Sequence, residues 1–326
     1  MKAIIWTDYG PPDVLVLREV EKPTPKDDEV LVKVCATSVT AGDCELRRFH
    51  ITPSVWPWLR LYIGVTKPKR ITILGQEMAG VVEAVGKDVT GFREGDRILG
   101  ITGFKMSTYA EFVCISEHEP LVIKPDQLTF EEAAVISVGG FEALHFHQRA
   151  NIHKGQEVLI NGAGGSIGTM ALQLAKMSGA KVTCVDSSIK LDMLRDLGAD
   201  VVIDYTQEDF SKNEGAYDIV FDVVGKIHFS RTMRSLKKDG TLILGNPGFI
   251  LPKLFRLWAA VSSQRKVMSN QATGTKDELE HLKDIIASGR VKVVIDRTYP
   301  LEMIADAHRY IEEGLKKGNV AITVVH

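Results

Sequence analysis

The segment QEVLINGAGGSIGTMALQLA, residues 156–175, decides the fold that this chain adopts. It begins with a short apolar run, 157–160, of the kind that forms a buried parallel strand. Four glycines follow between positions 162 and 168, and apolar residues then recur at helical spacing from Ile167 to Ala175. The pattern predicts a strand, a tight glycine turn and a helix.

This glycine turn is a candidate site for a dinucleotide. Free N–H groups at a helix N-terminus attract a pyrophosphate, and glycines let the backbone approach it closely. The run has the spacing Gly162-x-x-Gly165-x-x-Gly168 rather than a strict G-x-G-x-x-G, so an ordinary strand-to-helix turn is the alternative. The residues expected to bind the cofactor here are Gly162, Ala163, Gly164, Gly165, Ser166, Ile167 and Gly168.

The residues after the turn support the dinucleotide interpretation. Four further apolar runs, at 181–185, 201–204, 217–225 and 240–246, alternate with helical segments. Strands that alternate with helices indicate a parallel, doubly wound sheet, so the fold class is α/β with a Rossmann domain.

The identity of the nucleotide depends on the end of the second strand. Asp186 lies there, about 20 residues after the glycines, where a carboxylate accepts hydrogen bonds from ribose hydroxyls and repels a 2′-phosphate. This favours NADH, but Ser187, Ser188 and Lys190 could still hold the phosphate of NADPH. Asn246 follows the fifth strand and is expected near the nicotinamide at the carboxyl edge of the sheet.

Composition and charge exclude several classes of protein. The net charge of −2 provides no overall basic field for nucleic acid or for an anionic membrane, so neither partner is expected. The four cysteines are not closely paired, which argues against a disulfide framework or a CxxC metal site. The N-terminus does not resemble a signal peptide, and the most apolar stretch, 249–261, is too short and interrupted to span a bilayer. A cytoplasmic location is expected.

The remainder of the chain predicts a second, β-rich domain. Short apolar runs between Leu74 and Ile123 are punctuated by glycines, which suits a small, strongly bent β domain. A capping-box pattern at 129–132 predicts a helix that begins near residue 130 and leads to the nucleotide sheet. The last strands, 291–299 and 319–325, have no obvious place in that sheet, so the chain is expected to return to the first domain.

Several ordered blocks resemble the medium-chain dehydrogenase/reductase superfamily, in its zinc-independent quinone oxidoreductase branch. The segment LGQEMAGVVEAVGKDVTGFREGDRILG, residues 74–100, is similar to that family's G-x-E-x-x-G and V-G-x-x-V-x-x-F-x-x-G-D signature. Similar blocks follow in the same order: TYAEFV (108–113), FEEAAVISVGG (130–140), NGAGGSIGTMALQLAK (161–176), LGADVVIDYTQEDF (197–210) and KKGNVAIT (316–323).

The resemblance implies a bilobal enzyme that transfers hydride from NAD(P)H to a quinone or an α,β-unsaturated carbonyl compound. A GroES-like catalytic domain would comprise residues 1–125 and 290–326, and a Rossmann NAD(P)-binding domain residues 126–289, with the nicotinamide in the cleft between them. Relatives are commonly homodimers. A non-catalytic NAD(P)H-binding or sensor protein and an alcohol dehydrogenase are the alternatives.

The residues at the expected metal site argue against zinc. The resemblance places Thr40, Gln76 and Val138 at the positions of the catalytic zinc ligands, and none of them offers a thiolate, imidazole or carboxylate. The nearby thiol of Cys44 does not make a site alone. His145 and His147, two residues apart on a predicted helix, point in different directions and are expected to be ordinary helix residues.

The resemblance also indicates residues near the nicotinamide and the acceptor. It places Thr40, Asp43 and a turn at 137–141 near the ring, although Asp43 could instead cap a turn. Glu142 occupies a position that is often Thr in relatives. The segment 49–70 is aromatic and proline-rich, and its Trp56, Trp58 and Tyr62 are predicted to bind an apolar acceptor as a lid or cleft wall; core packing and a partner surface are alternatives.

Overall fold

The computed structural model describes residues 1–50, 56–245, 265–269, 272 and 274–325. They form two compact units. The first comprises residues 1–138, 274–287 and 293–326, and the second comprises residues 139–273 and 288–292. Asn246 and the apolar stretch 249–261 lie outside the described residues.

The first unit begins with a β-rich stretch. An 11-residue strand with an almost entirely buried pattern crosses its core, because its Val, Ala and Cys side chains fit a pleated surface that is covered on both faces. The elements in chain order are β1 (Lys2–Trp6), β2 (Leu15–Glu19), β3 (Glu29–Val39), α1 (Ala41–Arg48), α2 (Trp56–Ile63), β4 (Glu77–Val85), β5 (Arg97–Ile101), β6 (Phe112–Ser116), β7 (Leu121–Ile123) and α3 (Phe130–Ala134).

The second unit alternates strands and helices, as the apolar runs predicted. Its elements are α4 (Ser137–Ala150), which begins in the first unit, β8 (Glu157–Asn161), α5 (Ser166–Met177), β9 (Lys181–Asp186), α6 (Leu191–Asp196), β10 (Val201–Asp204), β11 (Tyr217–Asp222), α7 (Phe229–Ser235), β12 (Leu236–Leu244) and β13 (Lys266–Met268). The chain then continues through α8 (Lys276–Ala287), β14 (Ile295–Pro300), α9 (Ile304–Glu312) and β15 (Asn319–Thr323).

The sheet of the second unit has the doubly wound order. Its six strands run β10-β9-β8-β11-β12-β13, and all neighbouring pairs are parallel. The chain therefore moves outward in one direction after β8 and in the other direction from β11. The loop after β8 lies at this topological switch point, where ligands bind in open α/β sheets.

The larger sheet of the first unit is mostly antiparallel. Its strands have the order β14-β15-β3-β4-β5-β7, and β6 also pairs with β3. Because β15 pairs with β3 from residue 320 to 323, the C-terminal strands belong to this sheet. Its hydrophobic core includes Trp6, Phe49, Met78 and Tyr109, all buried.

The two units divide the chain at other residues than the expected boundaries 125/126 and 289/290, and residues 290–292 group with the second unit. Helix α8 belongs to the first unit, because its buried face of Leu279, Leu282, Ile285 and Ile286 packs near β7. Residues 126–138 also group with the first unit. An amphipathic helix has the same pattern on either unit, so its sequence could not assign it.

One local expectation was wrong, because the expected turn at 137–141 is the beginning of α4. The segment 49–70, predicted to be a lid or cleft wall, contains α2. Pro57 is tolerated because it lies in the first turn of α2, where its missing N–H would have no intrahelical partner. Among the described residues, no helix combines the length and the apolarity that crossing a bilayer requires.

Candidate active site

The glycine turn of the second unit has the backbone geometry that a pyrophosphate site needs. Gly162 has φ = +83°, which favours glycine, and its N–H donates to the carbonyl oxygen of Val185 at 2.9 Å. Gly165 is the extended N-cap residue of α5, and no side chain caps this helix end. A helix N-terminus attracts an anion through the positive end of its dipole.

Close packing explains another glycine of the turn. A Cβ atom on Gly168 would lie 2.5 Å from the Cα atom of Ala163 and 2.5 Å from the carbonyl oxygen of Gly162. Both are backbone atoms of the same turn, so a side chain at Gly168 would push the turn away from the helix. At Gly165, by contrast, a Cβ atom would have only the Gly162 oxygen nearby, at 3.9 Å.

The structure brings Asp186, Lys190 and Gly164 together at the end of β9. The Oδ2 atom of Asp186 accepts a hydrogen bond from the Gly164 N–H at 2.7 Å, and its Oδ1 atom lies 3.1 Å from the Lys190 ammonium. The N–H of Ser187 also donates to Oδ1, at 2.8 Å. The carboxylate thus lies against the glycine turn, and Lys190 offsets part of its charge. Ser188 begins a short 3-10 turn that leads to Lys190.

A buried carboxyl at the switch point was not predicted from the sequence. Asp222 is the last residue of β11, and its Oδ1 atom accepts a hydrogen bond from the Asn161 side-chain amide at 2.9 Å. The N–H groups of Val224 and Gly225 donate to the same carboxyl. Burial raises the pKa of Asp222. The carboxyl joins the ends of β8 and β11. The sequence signal that could have indicated this carboxyl is the position of Asp222 directly after the run YDIVF.

In the first unit, Thr40 and Asp43 form a capping box at the N-terminus of α1. The Thr40 hydroxyl donates to Asp43 Oδ2 at 2.6 Å and accepts from the Asp43 N–H at 3.1 Å. The Thr40 N–H donates to the same carboxyl oxygen at 2.9 Å. Asp43 is therefore a cap, the alternative considered from the sequence, and it also fixes the orientation of the Thr40 hydroxyl.

Asp43 is fully buried, and this changes its acidity. Burial raises the pKa of its carboxyl, although the hydrogen bonds from Thr40 oppose the rise. Tyr109 is buried beside it, and burial and the Asp43 charge together hold the pKa of the phenol well above its usual range. The Sγ atom of Cys44 lies 3.2 Å from Nδ1 of His308, and burial raises the pKa of this thiol to about 12. Cys44 is thus a protonated core residue.

Thr40 and Gln76 come together around Gly42. A Cβ atom on Gly42 would lie 3.6 Å from both Nε2 of Gln76 and Oγ1 of Thr40, so an amide and a hydroxyl flank one small space. The next residue, Glu77, is buried, and its carboxyl accepts from the Ser38 hydroxyl and, at 2.8 Å, from the Val138 N–H. Burial raises the pKa of Glu77 to about 7.

These residues do not fit a catalytic zinc ion. Threonine, glutamine and valine at positions 40, 76 and 138 supply no thiolate, imidazole or carboxylate ligand. The neighbouring carboxyl of Glu77 is engaged by Ser38 and the 138 backbone. Within the described parts of the chain, no three His, Cys, Asp or Glu side chains are grouped so that they could hold a metal ion.

Three residues of α4 in the second unit have local partners. Glu142 accepts a hydrogen bond from the Ala272 N–H at 3.3 Å, and burial raises its pKa. His147 Nε2 lies 3.0 Å from the Ser178 hydroxyl, and burial lowers the pKa of this imidazole. His145 packs with its ring edge toward Phe146.

The three aromatic residues predicted to contact the acceptor all lie on α2. The ring of Trp56 packs edge-on against Phe49, with the centroids 5.6 Å apart. Trp58 and Tyr62 are largely exposed on the chain surface. Trp56 is also exposed, at 44% compared with 46% for Tyr62, so all three side chains reach the surface.

Comparisons with known proteins cover both units. A family model described as an alcohol dehydrogenase GroES-like domain matches residues 26–127, and one described as a zinc-binding dehydrogenase matches residues 197–322. The chain is 32% identical to 2-methylene-furan-3-one reductase of Solanum lycopersicum, over 99% of this chain and 79% of that protein. It has the same identity and coverage with the chloroplastic NADPH-dependent alkenal/one oxidoreductase of Arabidopsis thaliana.

A solved structure extends the likeness to the whole fold. The quinone oxidoreductase from Coxiella burnetii matches with a TM-score of 0.88 and 29% identity, and the match covers 100% of this chain and 99% of that one. The doubly wound sheet, the glycine turn at its switch point and the GroES-like sheet agree with this match. The chain belongs to the medium-chain dehydrogenase/reductase superfamily, in the branch that contains the quinone oxidoreductases.

Proposed function

We propose that this protein is a zinc-independent reductase that transfers hydride from NAD(P)H to a quinone or an α,β-unsaturated carbonyl compound. The observation that carries the proposal is the residue set Thr40, Gln76 and Val138, which lacks zinc ligands in a chain that retains a glycine turn suited to a dinucleotide. The names of the tomato, Arabidopsis and Coxiella proteins support the same acceptor classes. Conjugated acceptors suit a site without a Lewis acid, because their developing charge is delocalised.

The second unit binds the cofactor through its glycine turn. The N–H groups that begin α5 hold the pyrophosphate, and the residues from Gly162 to Gly168 keep the backbone accessible to it. When bound, the reduced nicotinamide supplies the hydride. In this proposal Asp186 accepts hydrogen bonds from the ribose hydroxyls and favours NADH. Lys190 lies 3.1 Å from its carboxylate and offsets part of the charge, so NADPH can still bind.

The first unit orients the acceptor around Gly42. The Gln76 amide can donate a hydrogen bond to the acceptor oxygen, whose negative charge grows as hydride arrives. Thr40 flanks the same space, and Asp43 is a positioning residue because it holds the Thr40 hydroxyl. Trp56, Trp58 and Tyr62 are proposed to contact the apolar part of the acceptor. We also expect a cytoplasmic location and, as the family resemblance implies, a homodimer.

An activity assay tests the proposal directly. We expect the purified protein to oxidise NADH faster than NADPH, compared as kcat/KM, with quinones and enones as acceptors. Treatment with a strong chelator should leave the rates unchanged. Cofactor binding without turnover would indicate a sensor, and activity lost to the chelator and restored by zinc would indicate a metal-dependent dehydrogenase. A large preference for NADPH would contradict the role given to Asp186.

Replacing Gly42 by Ala should separate stability from acceptor use. The new methyl group meets Gln76 and Thr40 at 3.6 Å, an ordinary contact, and alanine favours a helix over glycine by up to about 1 kcal/mol. Thermal stability should therefore be kept or rise. The kcat/KM for the acceptor should fall about tenfold or more, because the methyl group fills the space beside the hydrogen-bonding groups.

Steady-state kinetics and cofactor titration on the Gly42→Ala variant check this expectation. The dissociation constant for NADH should stay at the wild-type value. An unchanged kcat/KM for every acceptor would show that the acceptor does not use this space.

A further inference from the structure

An apolar stripe on helix α2 includes Trp58 and Tyr62, two of the residues proposed to contact the acceptor, and extends beyond them. Trp58, Leu61 and Tyr62 follow the spacing i, i+3, i+4, which places them on one side of α2, and Val65 follows shortly after the helix ends at Ile63. Their exposed fractions are 75%, 67%, 46% and 61%. A contiguous exposed stripe of this kind marks an interaction surface rather than scattered surface residues.

The opposite side of α2 is firmly packed, so the exposure of the stripe is a property of the folded unit. Ile63 is buried in the core of the first unit. The Arg60 guanidinium stacks over the Tyr9 ring at 3.7 Å, and its Nε–H donates to the Val65 carbonyl oxygen at 2.8 Å. The Tyr9 hydroxyl donates to the Gly64 carbonyl oxygen at 2.7 Å. These contacts fix which side of the helix faces outward.

The stripe lies in a segment of uniform charge. Residues 46–76 contain six Lys and Arg residues and no Asp or Glu. Lys67, Lys69 and Arg70 follow the stripe directly and are exposed. The Arg70 guanidinium lies 4.2 Å from the centre of the Tyr62 ring, so a cation borders the apolar surface. The whole-chain charge of −2 conceals this local basic surface.

We propose that this surface, Trp58, Leu61, Tyr62 and Val65 with Lys67, Lys69 and Arg70, binds the surface of an anionic lipid bilayer. Aromatic and aliphatic side chains bordered by Lys and Arg are the composition of helices that lie in a membrane interface. Tryptophan and tyrosine favour the headgroup level, and the cations attract anionic headgroups. The binding is peripheral.

Other occupants fit the surface less well. In a two-fold interface between copies of this chain the surface would face itself, and cations would oppose cations. Nucleic acid would use the cations and stack on the aromatic rings, but Leu61 and Val65 offer no such stacking. The acyl chains of a bilayer can contact both the aliphatic and the aromatic residues of this surface.

Vesicle co-sedimentation of the full chain tests the proposal. The wild type should bind phosphatidylglycerol vesicles at low salt, bind phosphatidylcholine vesicles at least about tenfold more weakly, and be released from the anionic vesicles by added salt. The variant Trp58→Ser/Leu61→Ser/Val65→Ser and the variant Lys67→Glu/Lys69→Glu should each lose about tenfold or more of the affinity. Circular dichroism should show that both variants remain folded.

Two matched variants control for general effects. Phe104→Ser removes an equally exposed apolar residue of the first unit, and Lys226→Glu/Lys238→Glu produces the same change in net charge on the second unit. Both should bind vesicles like the wild type. Absent or equally weak binding to both vesicle types, or equal losses in the controls, would overturn the proposal.

Two further outcomes would assign the surface to another occupant and overturn the proposal. If the serine variant bound vesicles like the wild type but had a raised KM for apolar acceptors, the surface would belong to the acceptor site. If the serine variant bound vesicles like the wild type but changed its oligomeric state in light scattering, the surface would be an interface between copies of this chain.

Discussion

Replacing Gly168 by Ala is expected to lower kcat/KM by at least about 100-fold, through loss of cofactor binding. The added Cβ atom would lie 2.5 Å from backbone atoms of both Gly162 and Ala163, and no side-chain rotation relieves a clash between backbone groups. The turn must move away from α5, which separates the pyrophosphate from the helix N–H groups that bind it. Fluorescence titration with NADH and steady-state kinetics measure the two effects.

Gly165→Ala is the matched control in the same turn. A Cβ atom there meets only the Gly162 oxygen, at 3.9 Å, and the backbone is already extended, so the variant should fold with wild-type stability. Gly168→Ala should instead unfold at a lower temperature than Gly165→Ala. Wild-type NADH affinity in Gly168→Ala would show that the turn does not hold the cofactor, and the proposed function would lose its main support.

Replacing Glu77 by Gln should remove a large part of the pH dependence of stability. Burial raises the pKa of Glu77 to about 7 in the folded chain, above its usual value of 4.5. The folded state therefore binds this proton more tightly than the unfolded state. The free energy of unfolding should fall as the pH rises from about 4.5 to above 7, by on the order of 3 kcal/mol.

A glutamine can keep both contacts of this side chain, because its oxygen can accept from the Val138 N–H while its amide donates to the Ser38 hydroxyl. Near pH 4.5 the variant should match the wild type in stability, and at pH 8 it should exceed it. Chemical denaturation at both pH values gives the comparison. Glu94→Gln, at an exposed position, is the control and should follow the wild-type curve. Parallel curves for wild type and Glu77→Gln would contradict the raised pKa.

The strand, glycine turn and helix at 156–175 could be predicted because each depends on residues that are neighbours along the chain. Apolar spacing sets the periodicity of an element, and Gly162 supplies the positive φ that the turn requires. The capping box of Thr40 with Asp43 and the helix that follows are local in the same sense. The absence of zinc-ligating side chains at positions 40, 76 and 138 is likewise a matter of residue identity.

Other features depend on residues that are far apart in the sequence. Gln76 lies beside Gly42 only because the chain folds the loop before β4 near α1. Asp222 meets Asn161 only because β8 and β11 are neighbours in the sheet. The sequence also did not show which unit α8 packs on, because the apolar face of this helix could be buried against either unit. Patterns along the chain do not encode these pairings.

The sequence by itself determined the family, the doubly wound sheet and the position of the glycine turn, because local periodicity and residue identity are sufficient for them. Only the tertiary structure decided that Lys190 offsets the charge of Asp186, that Glu77 is buried and shifted in its pKa, and which side of α2 faces outward. The physical reason is that burial and charge pairing arise from contacts across space, and these exist only once the chain has folded.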